Sequence, residues 1–251
     1  MSSETEPWPP LLAVLLCALL SATAAGETTM PDTTATDVPS IDGHWDGLLV
    51  TTSTSRLPIL GEVRSVQRSR LDIDVAQRGA DLQLRIETCS IDIETSSRMV
   101  SLTIPQAFVD SIAAVERPAQ IETDDGQHRL VVPRIWEVQG VELDDPEADR
   151  LPESADDERV FDQDGDGHPG VTVAVSGIIG GEVYVVQKGW NMWRGAIGDG
   201  RIRGALRWHQ EQSVLDASSR WLRSDTETRP TRDIQDNYFV MQRRDTGSEG
   251  C

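Results

Sequence analysis

The chain has 251 residues, with 42 acidic side chains against 23 basic ones and a formal net charge of −19. A hydrophobic fraction of 38% with seven Trp is enough for a core and argues against general disorder. The acidity argues against nucleic acid or an anionic membrane surface as a partner, because phosphate contacts need clustered Lys and Arg.

Residues 11–25, LLAVLLCALLSATAA, form an apolar run that ends in small residues. The run is too short to span a bilayer and has the length of a signal-peptide core. Ala22-Thr23-Ala24 or Thr23-Ala24-Ala25 fills the cleavage pattern. Residues 1–25 are therefore read as a signal peptide, and the mature chain as secreted, periplasmic or held in the cell envelope. The leader is atypical, with Glu4 and Glu6 but no Lys or Arg before the run. A lipidated Cys17 is the other reading, yet a lipobox carries a small residue where Leu16 stands. No other segment has the length and apolarity of a membrane helix. Residues 26–40 are rich in Thr, Pro and Asp and read as a flexible spacer.

From Ile41 onward the dominant period is two. Leu71, Ile73 and Val75 alternate with Asp72 and Asp74, and Leu82, Leu84 and Ile86 with Gln83, Arg85 and Glu87. The apolar phase then moves to Cys89, Ile91 and Ile93, which predicts a bulge near Thr88. Val100, Leu102 and Ile104 form the next strand; a short helix behind Pro105 carries Phe108, Ile112 and Val115. Further strands are expected at Val171–Val175, at Ile202–Trp208 and at Asn237–Arg243. Turn signals at Gly79, Asp125-Gly126, Gly180-Gly181 and Asp199-Gly200 separate the runs. Nine or ten short strands with one short helix point to a single all-β antiparallel domain over residues 41–251. A sheet with one apolar face must close into a β-barrel or pack as a β-sandwich.

Cys89 and Cys251 remain after cleavage. In an oxidising compartment they are expected to form one disulfide, two free thiols being the alternative.

Residues 144–170, DDPEADRLPESADDERVFDQDGDGHPG, hold eleven acidic residues against Arg150 and Arg159. Like charges at this density repel unless cations neutralise them. Within the stretch, Asp162, Asp164 and Asp166 stand on alternate residues before Gly167, as in the first half of an EF-hand loop. Ca²⁺ takes six to eight oxygens, and three alternate carboxylates converge when the chain turns tightly. The carbonyl of His168 would be the next ligand. Val173 stands where an EF-hand has its bidentate Glu, so the remaining oxygens are sought at Asp156, Asp157, Glu158, Glu182 or water. A structural Ca²⁺ is the expected cofactor, and a solvated acidic turn without metal is the alternative.

Two resemblances bear on this. Gly43-His44-Trp45 is similar to the G-x-W start of lipocalin-type barrels. The resemblance implies a Trp on the barrel floor under a basic residue from a late strand, here Arg243 or Arg244. DQDGDGHPGVTV resembles loops of uncharacterised exported β-rich proteins of myxobacteria-like bacteria, a likeness that implies export and no particular activity.

C-x-x-C, H-E-x-x-H, P-loop, G-x-G-x-x-G and G-x-S-x-G motifs are absent, and His44, His128, His168 and His209 are scattered. The chain reads as non-catalytic and monomeric. Trp190, Trp193, Trp208 and Trp221 crowd the C-terminal third, as core aromatics or as the lining of an apolar or sugar-binding pocket. Two functions remain. One is a lipocalin-like barrel that takes a small apolar ligand, with Gly204 and Ala205 leaving room inside. The other is a calcium-stiffened envelope protein with a filled core whose partner is another envelope protein.

Overall fold

The alternation of apolar and polar residues is carried into strands in the computed structural model, which describes residues 38–57, 61–178, 180–223 and 228–245 together with residues 247 and 250. The predicted signal peptide and most of the predicted spacer lie outside the described residues. The elements are β1 (Gly43–Leu57), β2 (Gly61–Arg78), β3 (Asp81–Thr95), β4 (Val100–Thr103), α1 (Gln106–Ser111), β5 (Val115–Asp124), β6 (Gln127–Gln139), β7 (Val171–Gly177), β8 (Gly181–Gly198), β9 (Arg201–Ala217), β10 (Thr228–Pro230) and β11 (Tyr238–Arg243). The strands belong to one antiparallel sheet. They are longer than the short strands expected: β2 and β8 have 18 residues each. Among the described residues no helix is long and apolar enough to cross a membrane.

Eight strands pair in chain order, β1-β2-β3-β5-β6-β8-β9-β11, and β11 pairs back onto β1, so hydrogen bonds run around a ring. Two-residue turns join β2 to β3, β5 to β6 and β8 to β9. Between β5 and β6, Asp125 (φ 49°) and Gly126 (φ 74°) both lie in the left-handed region, as a type I′ hairpin turn requires. The remaining strands are additions at one end. β7 pairs with the first part of β8, β4 with β7, and β10 with the far end of β1.

Half of the ring's interior is filled. Trp45, Ile73, Leu84, Leu130, Val132, Trp193, Ile202, Leu206, Phe239 and Met241 form its core. Trp45 donates from Nε1 to the Ile41 carbonyl, 2.8 Å away. The Arg243 guanidinium lies 4.6 Å over the Trp45 ring and donates to the carbonyls of Asp42 and Ser40. Of the two basic residues expected over Trp45, Arg243 takes the place. Arg244 instead grips Asp46 and Asp72.

Gly204 does not leave ligand space. It pairs with Gly195 on β8; a Cβ added at Gly204 would run into the Arg194 and Gly195 backbone, and one added at Gly195 would meet Phe239 Cζ at 2.6 Å. Two facing glycines bring β8 and β9 under the Phe239 ring, which fills the room they leave.

The bulge falls where the phase shift predicts it. Arg70 faces Ser90 and Leu71 faces Thr88, so Cys89 is the extra residue on β3. Cys251 lies outside the described residues. Its neighbour Gly250 lies against the Asp72 carboxylate, and Asp72 pairs with Glu87, two residues before Cys89. Peptide mapping without reductant is therefore expected to recover a Cys89–Cys251 crosslink. Two titratable thiols in the native protein would rule it out. The bond closes a loop spanning 162 residues (251 − 89), and its loss is expected to cost at most about 5 kcal/mol.

Candidate functional site

Above the filled half, the same inward phase changes character. On β2, Ser65, Gln67 and Ser69 continue the face of Leu71 and Ile73; on β1, Thr51, Ser53 and Ser55 continue the face of Trp45 and Leu49. With Ile91, Ile93, Ile104, Phe108, Ile112 and Trp208 they line a cavity open to solvent. Together with its mouth and the adjoining outer surface near Trp136 and Trp190, the space measures about 1240 Å³. α1 borders the mouth through Phe108, Ser111 and Ile112. The wall thus mixes apolar side chains with hydroxyl, amide and charged ones, Arg117 and Glu137 among them, and is less apolar than the sequence suggested.

At the boundary between core and cavity lies Arg117, the inward residue of β5 between Val115 and Ala119. It is 1% exposed. Its guanidinium lies 5.2 Å from the Trp193 ring centroid. Nη1 donates to Asn191 Oδ1, and Nη2 donates to the carbonyls of Pro133 (2.9 Å) and Asn191 (2.8 Å). All three acceptors are neutral. Among the described residues the carboxylate near it is that of Glu137, 3.9 Å away, and Arg117 Nε has no hydrogen-bond partner. Glu137 keeps 39% of its side-chain surface although it lies deep in the fold, because that surface faces the cavity. Its enclosed position pushes its carboxyl above the usual range, against the pull of Arg117. Burial also lowers the Arg117 pKa.

The acidic loop enters the same end of the molecule. Gln163 accepts from the Gly140 amide at 2.6 Å and donates to Ser111 of α1, and it borders the cavity mouth. On either side of it, Asp162, Asp164 and Asp166 bring one carboxylate oxygen each within 4.8 Å of one another. Asp162 holds the turn itself, accepting from the amides of Gly165, Asp166 and Gly167. Positive φ at Gly165 and Gly167 permits that wrap. Asp164 accepts from the Thr172 amide through Oδ2, while its Oδ1 is buried without a partner. Burial, then repulsion from Asp166 and Asp162, holds its carboxyl above the ordinary carboxylate range. Asp166 accepts from the His168 amide and from Thr172 Oγ1. The His168 ring stacks on Tyr184 with centroids 4.0 Å apart.

The other carboxylates considered as ligands do not join this group. Asp157 is paired with Arg159, which holds its pKa at about 2, and Glu182 accepts from the Tyr184 hydroxyl. Asp156 and Glu158 also lie outside it. Three carboxylates that approach one another around an unpartnered buried oxygen could hold a metal ion.

The four Trp of the C-terminal third do not form one pocket. Trp193 is core, Trp208 is on the cavity wall, Trp190 is under Arg134 on the other face of β8, and Trp221 is 62% exposed. Arg117 was the residue sequence reasoning missed, although an Arg in the apolar phase of Val115, Ala119 and Ile121 was its signal. Comparison with protein-family models, curated proteins and solved structures gives no match to this chain.

Proposed function

We propose that this chain is an exported, non-catalytic binding protein: a lipocalin-like β-barrel that takes a small amphiphilic molecule into its half-open interior, with a Ca²⁺ ion stiffening the loop at its mouth. The observation that carries the reading is the division of the ring into a filled floor and an open, mixed polar and apolar half. A protein whose only task was structural would gain stability by filling that half, since interiors otherwise pack to crystal density. The stacking of Arg243 on Trp45 beneath the floor supports the lipocalin-like reading. Closure by β11 supports the barrel, since a sheet without free edges can enclose a ligand. The wall shifts the expected ligand from purely apolar to amphiphilic.

The test is uptake of N-phenyl-1-naphthylamine, a neutral dye that brightens in apolar surroundings. The wild type is expected to bind it saturably. Ser69→Phe places a ring in the open half, and it is expected to weaken uptake at least tenfold while the protein still melts cooperatively. Absence of saturable uptake by the wild type would return the chain to the filled-core envelope reading.

A further inference from the structure

We infer that the cavity takes ligands by an anionic head, a carboxylate received by Arg117, with the ligand's apolar body laid along the wall of Leu49, Ile91, Ile93 and Phe108. The inference rests on the binding reading above and names the chemical class of its ligand.

A buried guanidinium is costly unless its charge and all its donors are met. Here the hydrogen bonds go to the Asn191 side chain and to the Pro133 and Asn191 carbonyls, all of them neutral. Among the described residues Glu137 is the nearby counter-ion, at 3.9 Å, beyond hydrogen-bond reach. Arg117 Nε–H is buried and unmet in a residue that lines the cavity. What is missing is therefore an acceptor, and an anionic one fits best, because Glu137 offsets the charge only across 3.9 Å and none of the hydrogen-bond partners is charged. A neutral hydroxyl would satisfy Nε and leave the charge as it was. A carboxylate supplies both, in a charge-assisted bond about twice as strong as a neutral one.

The remainder of the ligand follows from the walls. Leu49, Ile91, Ile93, Ile104, Phe108 and Ile112 give one apolar side. A chain of methylenes there exchanges water for apolar contact along its length. Ser and Gln at the β1–β2 side keep water beside it, so the fit favours a single tail over a bulky apolar solid. Glu137 opposes the carboxylate as a like charge and shares Arg117 with it. Replacing Glu137 by Gln keeps the shape and frees the guanidinium.

The experiment displaces bound N-phenyl-1-naphthylamine with sodium dodecanoate and with dodecan-1-ol, which share a tail and differ in the head. Dodecanoate is expected to displace the dye from the wild type at a concentration at least tenfold lower than dodecanol. Arg117→Met should remove that advantage. If Arg117→Met does not fold, Glu137→Gln decides: it should strengthen dodecanoate severalfold more than dodecanol. Equal displacement by acid and alcohol in the wild type, or no greater gain for dodecanoate than for dodecanol in Glu137→Gln, overturns the anionic head and leaves the binding cavity standing. Failure of the dye itself to bind the wild type overturns both.

Discussion

Calcium at about a hundred times its dissociation constant is expected to stabilise the protein by about 2.7 kcal/mol, a rise in melting temperature of about 5–11 °C for a chain of this size. The physical basis is the unequal cost of the loop's two states. Without metal, Asp162, Asp164 and Asp166 hold carboxylate oxygens within 4.8 Å of one another, and Asp164 Oδ1 is buried with no donor. A dication turns that repulsion into attraction and supplies the missing partner. Loops of this type outside cells bind at roughly 0.1–1 mM, so about 10–100 mM CaCl₂ against EDTA, at matched ionic strength, is the comparison that reaches a hundredfold excess. Asp164→Asn separates the components. It keeps an oxygen for the Thr172 amide and removes one negative charge. The variant is therefore expected to melt slightly above the wild type in EDTA and to show no calcium response. Mg²⁺ should stabilise far less, since it dehydrates reluctantly and demands strict octahedral geometry. Equal melting temperatures in calcium and in EDTA, or an undiminished response in Asp164→Asn, would remove the metal from the account. Because Gln163 joins this loop to Gly140 and Ser111 at the cavity mouth, dye uptake should also weaken in EDTA.

Trp193→Ala is expected to destabilise the chain by about 4 kcal/mol, within the usual range for removing a buried aromatic, or about 8–16 °C in melting temperature. Trp193 is 1% exposed, stacks on Phe239 at 5.2 Å and donates from Nε1 to Asn191 Oδ1 at 2.7 Å. Its ring also faces the Arg117 guanidinium. The substitution thus opens a cavity in the filled half and removes the surface on which a buried cation rests. Trp221→Ala makes the control, because Trp221 is mostly exposed and surface changes stay within about 0.5 kcal/mol. Urea denaturation measures both. Similar small losses for the two would mean that the filled half is not the source of stability.

Much of the architecture was legible because a half-buried strand writes its burial into every second residue. Leu71, Ile73 and Val75, and Leu82, Leu84 and Ile86, are inward as their alternation required. The bulge was legible for the same reason, since an inserted residue must reverse the phase. Asp162, Asp164 and Asp166 were legible because their spacing is itself the geometry of the turn. The cavity was not. Ser65, Gln67 and Ser69 stand in the inward phase of β2, but polar residues at a strand's end look like the end of burial until a ring encloses them. Glu137 was hidden further, because the register of β6 shifts between Val132 and Ile135 and its inward phase cannot be carried across by counting. The far ligand candidates failed because charge density along a chain does not show where side chains point. Arg159 had already claimed Asp157.

The ring has an even number of strands taken in chain order, so the chain must leave by the rim at which it entered. β1 begins and β11 ends beside each other, with Trp45 opposite Arg243. That rim is the closed floor, where Arg243 also holds the carbonyls of Ser40 and Asp42. The opening lies at the opposite pole, among α1 and the acidic loop. The described chain therefore enters and leaves at the sealed end, away from the opening. An insertion beside Ser40 or Arg244, at the sealed rim, leaves the path of a ligand unobstructed, whereas an insertion into the loop between β6 and β7 would stand in it.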